Sequence, residues 1–391
     1  MLPRSRILLY EFATGGGLAD QPEPERSPWF AEGQAMLRAL AADLAAIAGC
    51  EVRAMCDARL KLDLPGCQIV PVEGQAGDLE LLAAQASTAD WTIVIAPETG
   101  GLLESRARAV LAGGGKLLGP GPDLIALCGD KQRLAEHLAA AGVPVPPGYE
   151  LVQREGEREG EAPSEPEFTL DAIATTARQE PRPPENARPP KNAAILGEAC
   201  FPAVLKPRDG AGSEGVRIVP DAASLPAAAE RPGAWRLERY QPGAAASVAC
   251  LQGPGGTRLL EPCRQRLLRD GGRLRYAGGH LPLSARLRER ASSLARRAIA
   301  ALPCWHGYLG IDMVLGPQAD GSGDVVIEIN PRLTTSYVGL RLAAHTNLAE
   351  AMLDLAESRC SEIEFSTEHV YFSATGLVWR GGRQEMLPEA V

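Results

Sequence analysis

No Cys-x-x-Cys pair occurs among the nine cysteines, which are scattered singly from Cys50 to Cys360. An odd total without paired spacing argues against a disulfide framework or a zinc knuckle and predicts buried thiols in a reducing compartment. No stretch reaches the roughly 20 apolar residues of a membrane-spanning helix. The run Ile7–Tyr10, ended by Glu11, is too short for the apolar core of a secretion signal. A cytoplasmic protein without a membrane partner is therefore expected. Basic charge is short as well: 40 Lys and Arg against 49 Asp and Glu leave a net charge of −9. Binding a phosphate backbone needs clustered cations, so no nucleic acid partner is expected and small-molecule substrates fit better. Aromatics are sparse at 5%, and the Gly-x-x-x-x-Gly-Lys-Ser/Thr phosphate loop is absent.

What is present is 391 residues with 45% hydrophobic and 23% charged side chains, enough for two or three packed units. Up to about Val143, short β-type runs (Arg6–Tyr10, Glu51–Cys56, Gln68–Val72, Trp91–Ala96, Lys116–Leu118) alternate with helical segments (Trp29–Ala48, Asp78–Ala86, Leu103–Ala112). That alternation predicts an α/β unit with a parallel sheet, set at residues 1–120. Ligands of such sheets sit where loops leave the carboxyl ends of strands. The loops that follow the first and fourth strands supply candidate substrate residues: Glu11, Thr14, Gly15 and Gly16, then Glu98.

Residues 153–199 change character, with alternating Arg and Glu and then a proline-rich run. Such a segment has too little apolar surface to offset its ordering entropy, so it is expected to be a disordered insertion. It lies inside a second unit at 121–245, followed by a third at 246–391. Strands are expected at Ala203–Lys206, Val216–Val219, Arg236–Tyr240, Ser247–Leu251, Arg258–Glu261, Tyr308–Leu315 and Val325–Ile329, giving α+β character. Helices are expected over Gln132–Ala141 and Ala285–Ala301.

The sharpest chemical signal is Gly310-Ile311-Asp312-Met313-Val314 followed by Val326-Ile327-Glu328-Ile329-Asn330-Pro331-Arg332. Side chains alternate along a strand, so Glu328 and Asn330 share a face that Asp312 joins from the neighbouring strand. Three hard oxygen donors with open positions suit magnesium or manganese that also binds nucleotide phosphates. Arg332, one alternation further on, is placed to steady a phosphate bidentately.

A second signal is a strand that delivers Lys206 into a turn containing Gly210, Gly212, Ser213 and Gly215 and leading to another strand. Glycines let backbone amides approach phosphates, and the lysine adds charge, as in a lid over a nucleotide. Lys131 opens a helix, where phosphates are favoured. The segment Glu238-Arg239-Tyr240-Gln241-Pro242-Gly243 ends a strand in a turn that offers backbone groups to a base edge. His280, after Tyr276-Ala277-Gly278-Gly279, is a candidate cleft residue.

In this order the pieces resemble the ATP-grasp superfamily over roughly residues 115–345, with the preceding sheet similar to its pre-ATP-grasp domain. The resemblance implies ATP and Mg2+ as cofactors. Lys131 and Lys206 would contact phosphates, Gly210–Gly215 would cover them, and Glu238, Arg239 and Tyr240 would line the adenine pocket. Asp312, Glu328 and Asn330 would hold the metal, while Arg332 and Lys206 would serve catalysis. It implies an ATP-dependent ligase joining a carboxylate to an amine through an acyl phosphate. A nucleotide-binding protein without catalysis, or a carboxylase or kinase on the same scaffold, is the alternative. The run Asn330–Gly339, which includes Thr335 and Ser336 as substrate candidates, together with Ala96-Pro97-Glu98, resembles the branch containing tyramine–glutamate ligase, linked to methanofuran and tetrahydromethanopterin-type one-carbon cofactors. Where many relatives have an acidic residue for the ribose, this chain has Ala245. A homodimer is the default assembly.

Overall fold

The computed structural model describes residues 5–73, 78–153, 168–169, 201–212, 214–225 and 233–381. Most of the 153–199 insertion, and Ser213, lie outside the described residues. The first unit contains β1 (Ser5–Glu11), α1 (Phe30–Ala45), β2 (Cys50–Asp57), β3 (Cys67–Val72), α2 (Asp78–Ala86), β4 (Trp91–Ile95) and α3 (Leu102–Ala112). Its four strands are parallel in the order β3-β2-β1-β4, as the alternation predicts. β1 is buried from Ile7 to Glu11, so its apolar run is uninterrupted, as expected of a strand covered on both faces. Lys116–Leu118, expected as a strand, makes only an isolated bridge to Thr92, with Thr92 N–H donating to Lys116 O and Leu118 N–H to Thr92 O. Gly119 and Pro120 follow at once and leave it no length to extend.

α4 (Pro122–Gly129) and α5 (Lys131–Ala140) come next. Asp130 caps α5, its carboxylate accepting from the N–H groups of Gln132 and Arg133, a cap worth about 1 kcal/mol. Then come β5 (Gly148–Gln153), β6 (Phe168–Thr169), β7 (Ala203–Pro207), β8 (Arg217–Val219), β9 (Gly233–Arg239), β10 (Ala244–Gly253), β11 (Gly256–Leu259), β12 (Cys263–Asp270), β13 (Arg273–Leu281), α6 (Ala285–Ala300), β14 (Gly307–Leu315), β15 (Val325–Asn330), α7 (Ser336–Ala343), α8 (Leu348–Ala356), β16 (Val370–Ser373) and β17 (Val378–Arg380).

Among the described residues these strands form one antiparallel sheet with the path β15-β14-β10-β12-β13-β8-β7-β9-β5-β6. Its two halves meet through a single register pair, Arg273 with Arg217, beside the bonds Ile218 N–H to Gly272 O and Leu274 N–H to Val216 O. The alternation of β14 sends Leu309, Ile311 and Met313 into a core with Ala291, Leu294 and Ala298 of α6. Each such large side chain contributes about 1.5–3 kcal/mol by burial.

The first unit is keyed to the large sheet through Asp43 of α1. Its carboxylate accepts from the Tyr337 hydroxyl at 2.7 Å and from Arg341 Nε at 3.0 Å, both on α7, while Asn347 Nδ2 donates to its backbone oxygen at 2.8 Å. Described cysteines are free thiols, but Cys50 and Cys67 are only half-buried, and Cys304 and Cys360 are exposed because they sit in loops rather than in strands. Among the described residues no helix is long and apolar enough to cross a membrane.

Candidate functional site

The β14–β15 ladder sets Asp312 opposite Glu328 and Gly310 opposite Asn330, with a bulge after Asp312. All three polar side chains converge on one cavity of about 240 Å³. Asn330 Nδ2 donates to Asp312 Oδ2 at 3.1 Å, and Gln265 Nε2 to Asp312 Oδ1 at 2.8 Å. Burial raises the Asp312 pKa and the adjacent Glu328 raises it further. Burial opposes ionisation of Glu328 too, but Lys131, Lys206 and Arg332 outweigh it and hold its pKa below the ordinary value. Among the described residues no three His, Cys, Asp and Glu side chains gather as a metal cluster; the set here is two carboxylates and an amide.

Lys131 Nζ stands 3.6 Å from Glu328 Oε2 and donates to the carbonyl of Gly210, tying the start of α5 to the glycine turn. Lys206 Nζ is 2.6 Å from Glu238 Oε1, with both side chains under 5% exposed. Arg236 Nε donates to the other Glu238 oxygen at 2.9 Å. Burial lowers the Lys206 pKa, against the pull of Glu238 and Glu328. Glu238, expected at an adenine pocket, thus lines the cavity as the anchor of Lys206, while Arg239 and Tyr240 line it beyond the strand end. Gly210 and Gly212 line it as well, and Gly212 and Gly215 adopt φ of 63° and 74°, where a side chain would strain the backbone.

Arg332 also lines the cavity but is held from behind: its Nε is 3.0 Å from Glu98 Oε1 and its Nη2 donates to Glu98 Oε2 at 3.2 Å. Glu98 follows β4 of the first unit, so this substrate candidate acts as the partner of Arg332. Thr335 and Ser336 line the cavity, beside a hydroxyl network in which Thr334 Oγ1 meets Tyr308 Oη at 2.9 Å and Ser336 Oγ at 2.8 Å.

The loop after β1 is not among the cavity's lining residues. Glu11 accepts from Ala13 N–H, Thr14 N–H and the Thr14 hydroxyl at 2.6–3.0 Å, closing its own turn. A Cβ at Gly15 would meet Glu11 O at 2.5 Å, and one at Gly16 would meet Val72 Cγ1 at 2.6 Å, so both glycines serve packing. Burial pushes Glu11 up to about 7 despite its three donors. His280 packs instead at a tilt against Tyr371, at 5.4 Å between ring centroids.

Lining residues that the sequence did not point to include Glu32, Gln265, Leu274 and Tyr276. The last three lie on the β12–β13 hairpin, whose Asp270-Gly271-Gly272 turn, with φ of 52° and 85° at the glycines, was the available signal. Glu32, in the first turn of α1, carried none.

Residues 175–336 match the ATP-grasp domain family, and residues 50–125 match the pre ATP-grasp 3 domain. The chain thus carries an ATP-grasp domain preceded by a pre-ATP-grasp domain. An ATP-grasp superfamily protein from Archaeoglobus fulgidus superposes with a TM-score of 0.62 over 94% of this chain and 92% of that one, at 20% identity. The ADP complex of an N5-carboxyaminoimidazole ribonucleotide synthetase gives 0.62 at 16% identity, covering 95% and 81%. The VanG D-Ala:D-Ser ligase of Enterococcus faecalis gives 0.60 at 14%, covering 90% and 99%. At these identities the likeness is one of fold. Tyramine–L-glutamate ligases from Methanocaldococcus jannaschii and Methanocaldococcus fervens are 28% and 29% identical over 98 residues. Those residues are 25% of this chain and 29% and 31% of the relatives, so the match spans less than a third of either relative.

Proposed function

We propose that this ATP-grasp chain is an ATP-dependent carboxylate–amine ligase. The observation that carries the reading is the convergence of Asp312, Glu328 and Asn330 with Lys131, Lys206 and Arg332 on one cavity that Gly210 and Gly212 also line.

A divalent cation fits this donor set: two carboxylates oppose each other across the ladder, and a half-turn of the Asn330 amide would present its oxygen. Asp312, Glu328 and Asn330 would hold it, magnesium or manganese, and when bound it would neutralise nucleotide phosphate charge. The chain's own share is positioning and charge. Lys131 and Lys206 meet the phosphates of ATP as point charges held by Glu328, Glu238 and the Gly210 carbonyl. Arg332, braced by Glu98, offers its fork to the substrate carboxylate and to the phosphoryl group that it acquires. A substrate carboxylate oxygen attacks the γ-phosphorus and ADP leaves; an amine nitrogen then attacks the acyl carbon and phosphate leaves. The buried walls keep water from the acyl phosphate.

The partial likeness to tyramine–glutamate ligases favours an amino acid and a primary amine, in the chemistry of one-carbon cofactors. Phosphate release from ATP should depend on both an acid and an amine in a screen pairing amino acids with amines, L-glutamate and tyramine included. A phosphorylated product that forms without amine would overturn the reading.

A further inference from the structure

Glu32 stands out among the carboxylates that line the cavity. Lys206 is answered by Glu238, Arg332 by Glu98 and Lys131 by Glu328. Asp312 and Glu328 belong to the metal donors. Glu32 lines the same cavity, yet makes no hydrogen bond or ion pair with any described side chain; its electrostatic neighbours are Arg332 and Tyr276. A glutamate in the first turn of a helix commonly serves only the helix dipole, a role that needs no wall of a cavity. Here the side chain is half-buried and lines the cavity together with Tyr276, whose hydroxyl feels its charge, and with Thr334, Thr335 and Ser336. A partly desolvated carboxylate beside an aromatic ring is the chemistry that binds an ammonium group, by charge-assisted hydrogen bonds and a cation–π contact.

We infer that Glu32 binds the ammonium of a substrate, so that the cavity takes a molecule carrying a primary amine at a fixed offset from the carboxylate site of Arg332. The inference rests on the ligase reading for the place of that molecule in the reaction. The ammonium belongs either to the acid, if it is an amino acid, or to the acceptor amine.

The test is calorimetry on the full chain with ADP and magnesium, with L-glutamate, its desamino analogue glutarate and tyramine as probes. In Glu32→Gln, the affinity for an amine-bearing probe should fall by about tenfold to a hundredfold, as expected for a lost charge-assisted bond. Glu32→Asp should retain part of it. ADP affinity should stay within about twofold, which shows the variant to be folded. Loss for L-glutamate with glutarate unchanged assigns the acid's amino group; loss for tyramine assigns the acceptor. Equal binding of every probe by Glu32→Gln, or no amine probe bound by the wild type, overturns the inference. Failure of the ligase reading looks different: ATP turnover without amine dependence, whatever Glu32 binds.

Discussion

Asp312 and Glu328 face each other as a register pair across β14 and β15, with Lys131 3.6 Å from the latter. Two carboxylates this close repel unless a cation or a shared proton lies between them, and Lys131 answers only one.

Replacing Glu328 by Gln keeps the shape and removes one charged donor. ATP-dependent phosphate release should fall by about a thousandfold or more, since in the proposed reaction the lost group positions charge at the reacting phosphate. The circular dichroism spectrum should be unchanged. A variant retaining a tenth of the activity would remove Glu328 from the metal set.

Lys206→Ala should weaken nucleotide binding by at least about tenfold in calorimetry. It also leaves Glu238 buried with only Arg236 as partner, so urea denaturation should show a loss of about 3–5 kcal/mol. Wild-type ADP affinity in the folded variant would contradict a phosphate-binding role.

Glu98→Ala strips Arg332 of its brace between the two units. A buried guanidinium without its carboxylate should cost about 3–5 kcal/mol of stability and lower turnover while the KM for ATP changes little. Unaltered turnover would mean that Arg332 does not depend on this pair.

Glu11 gives a pH signature. Its pKa is raised from 4.5 to about 7 by burial, so the folded state binds the proton more tightly than the unfolded state. The stabilisation is complete below pH 4.5 and disappears as pH rises through 7, a difference of about 3 kcal/mol. Glu11→Gln should therefore flatten the change in unfolding free energy between pH 5 and pH 8 by roughly 2–3 kcal/mol. Parallel pH curves for the two proteins would refute the assignment.

The strand pair bearing Asp312, Glu328 and Asn330 was legible because strict alternation fixes which side chains share a face, and the parallel sheet was legible because its apolar runs are continuous. The β12–β13 hairpin was not, since arginines punctuate its alternation (Arg264, Arg266, Arg269, Arg273, Arg275) and mask the apolar period. Glu32 was invisible because its role depends on α1 being brought against α7 through Asp43, a contact between residues 294 apart in sequence. The glycines after β1 misled for a related reason: glycine marks close approach, and here what approaches is the chain itself.

The seam between β8 and β13 has a mechanical consequence. Elsewhere the large sheet is stitched by ladders such as the nine register pairs of β10 with β14, whereas at this point one pair and two flanking bonds carry the load. Bending stress concentrates at the thinnest stitch of a fabric, so any bending between the part bearing Lys206 and the part bearing Asp312 and Glu328 is expected to fall at this seam.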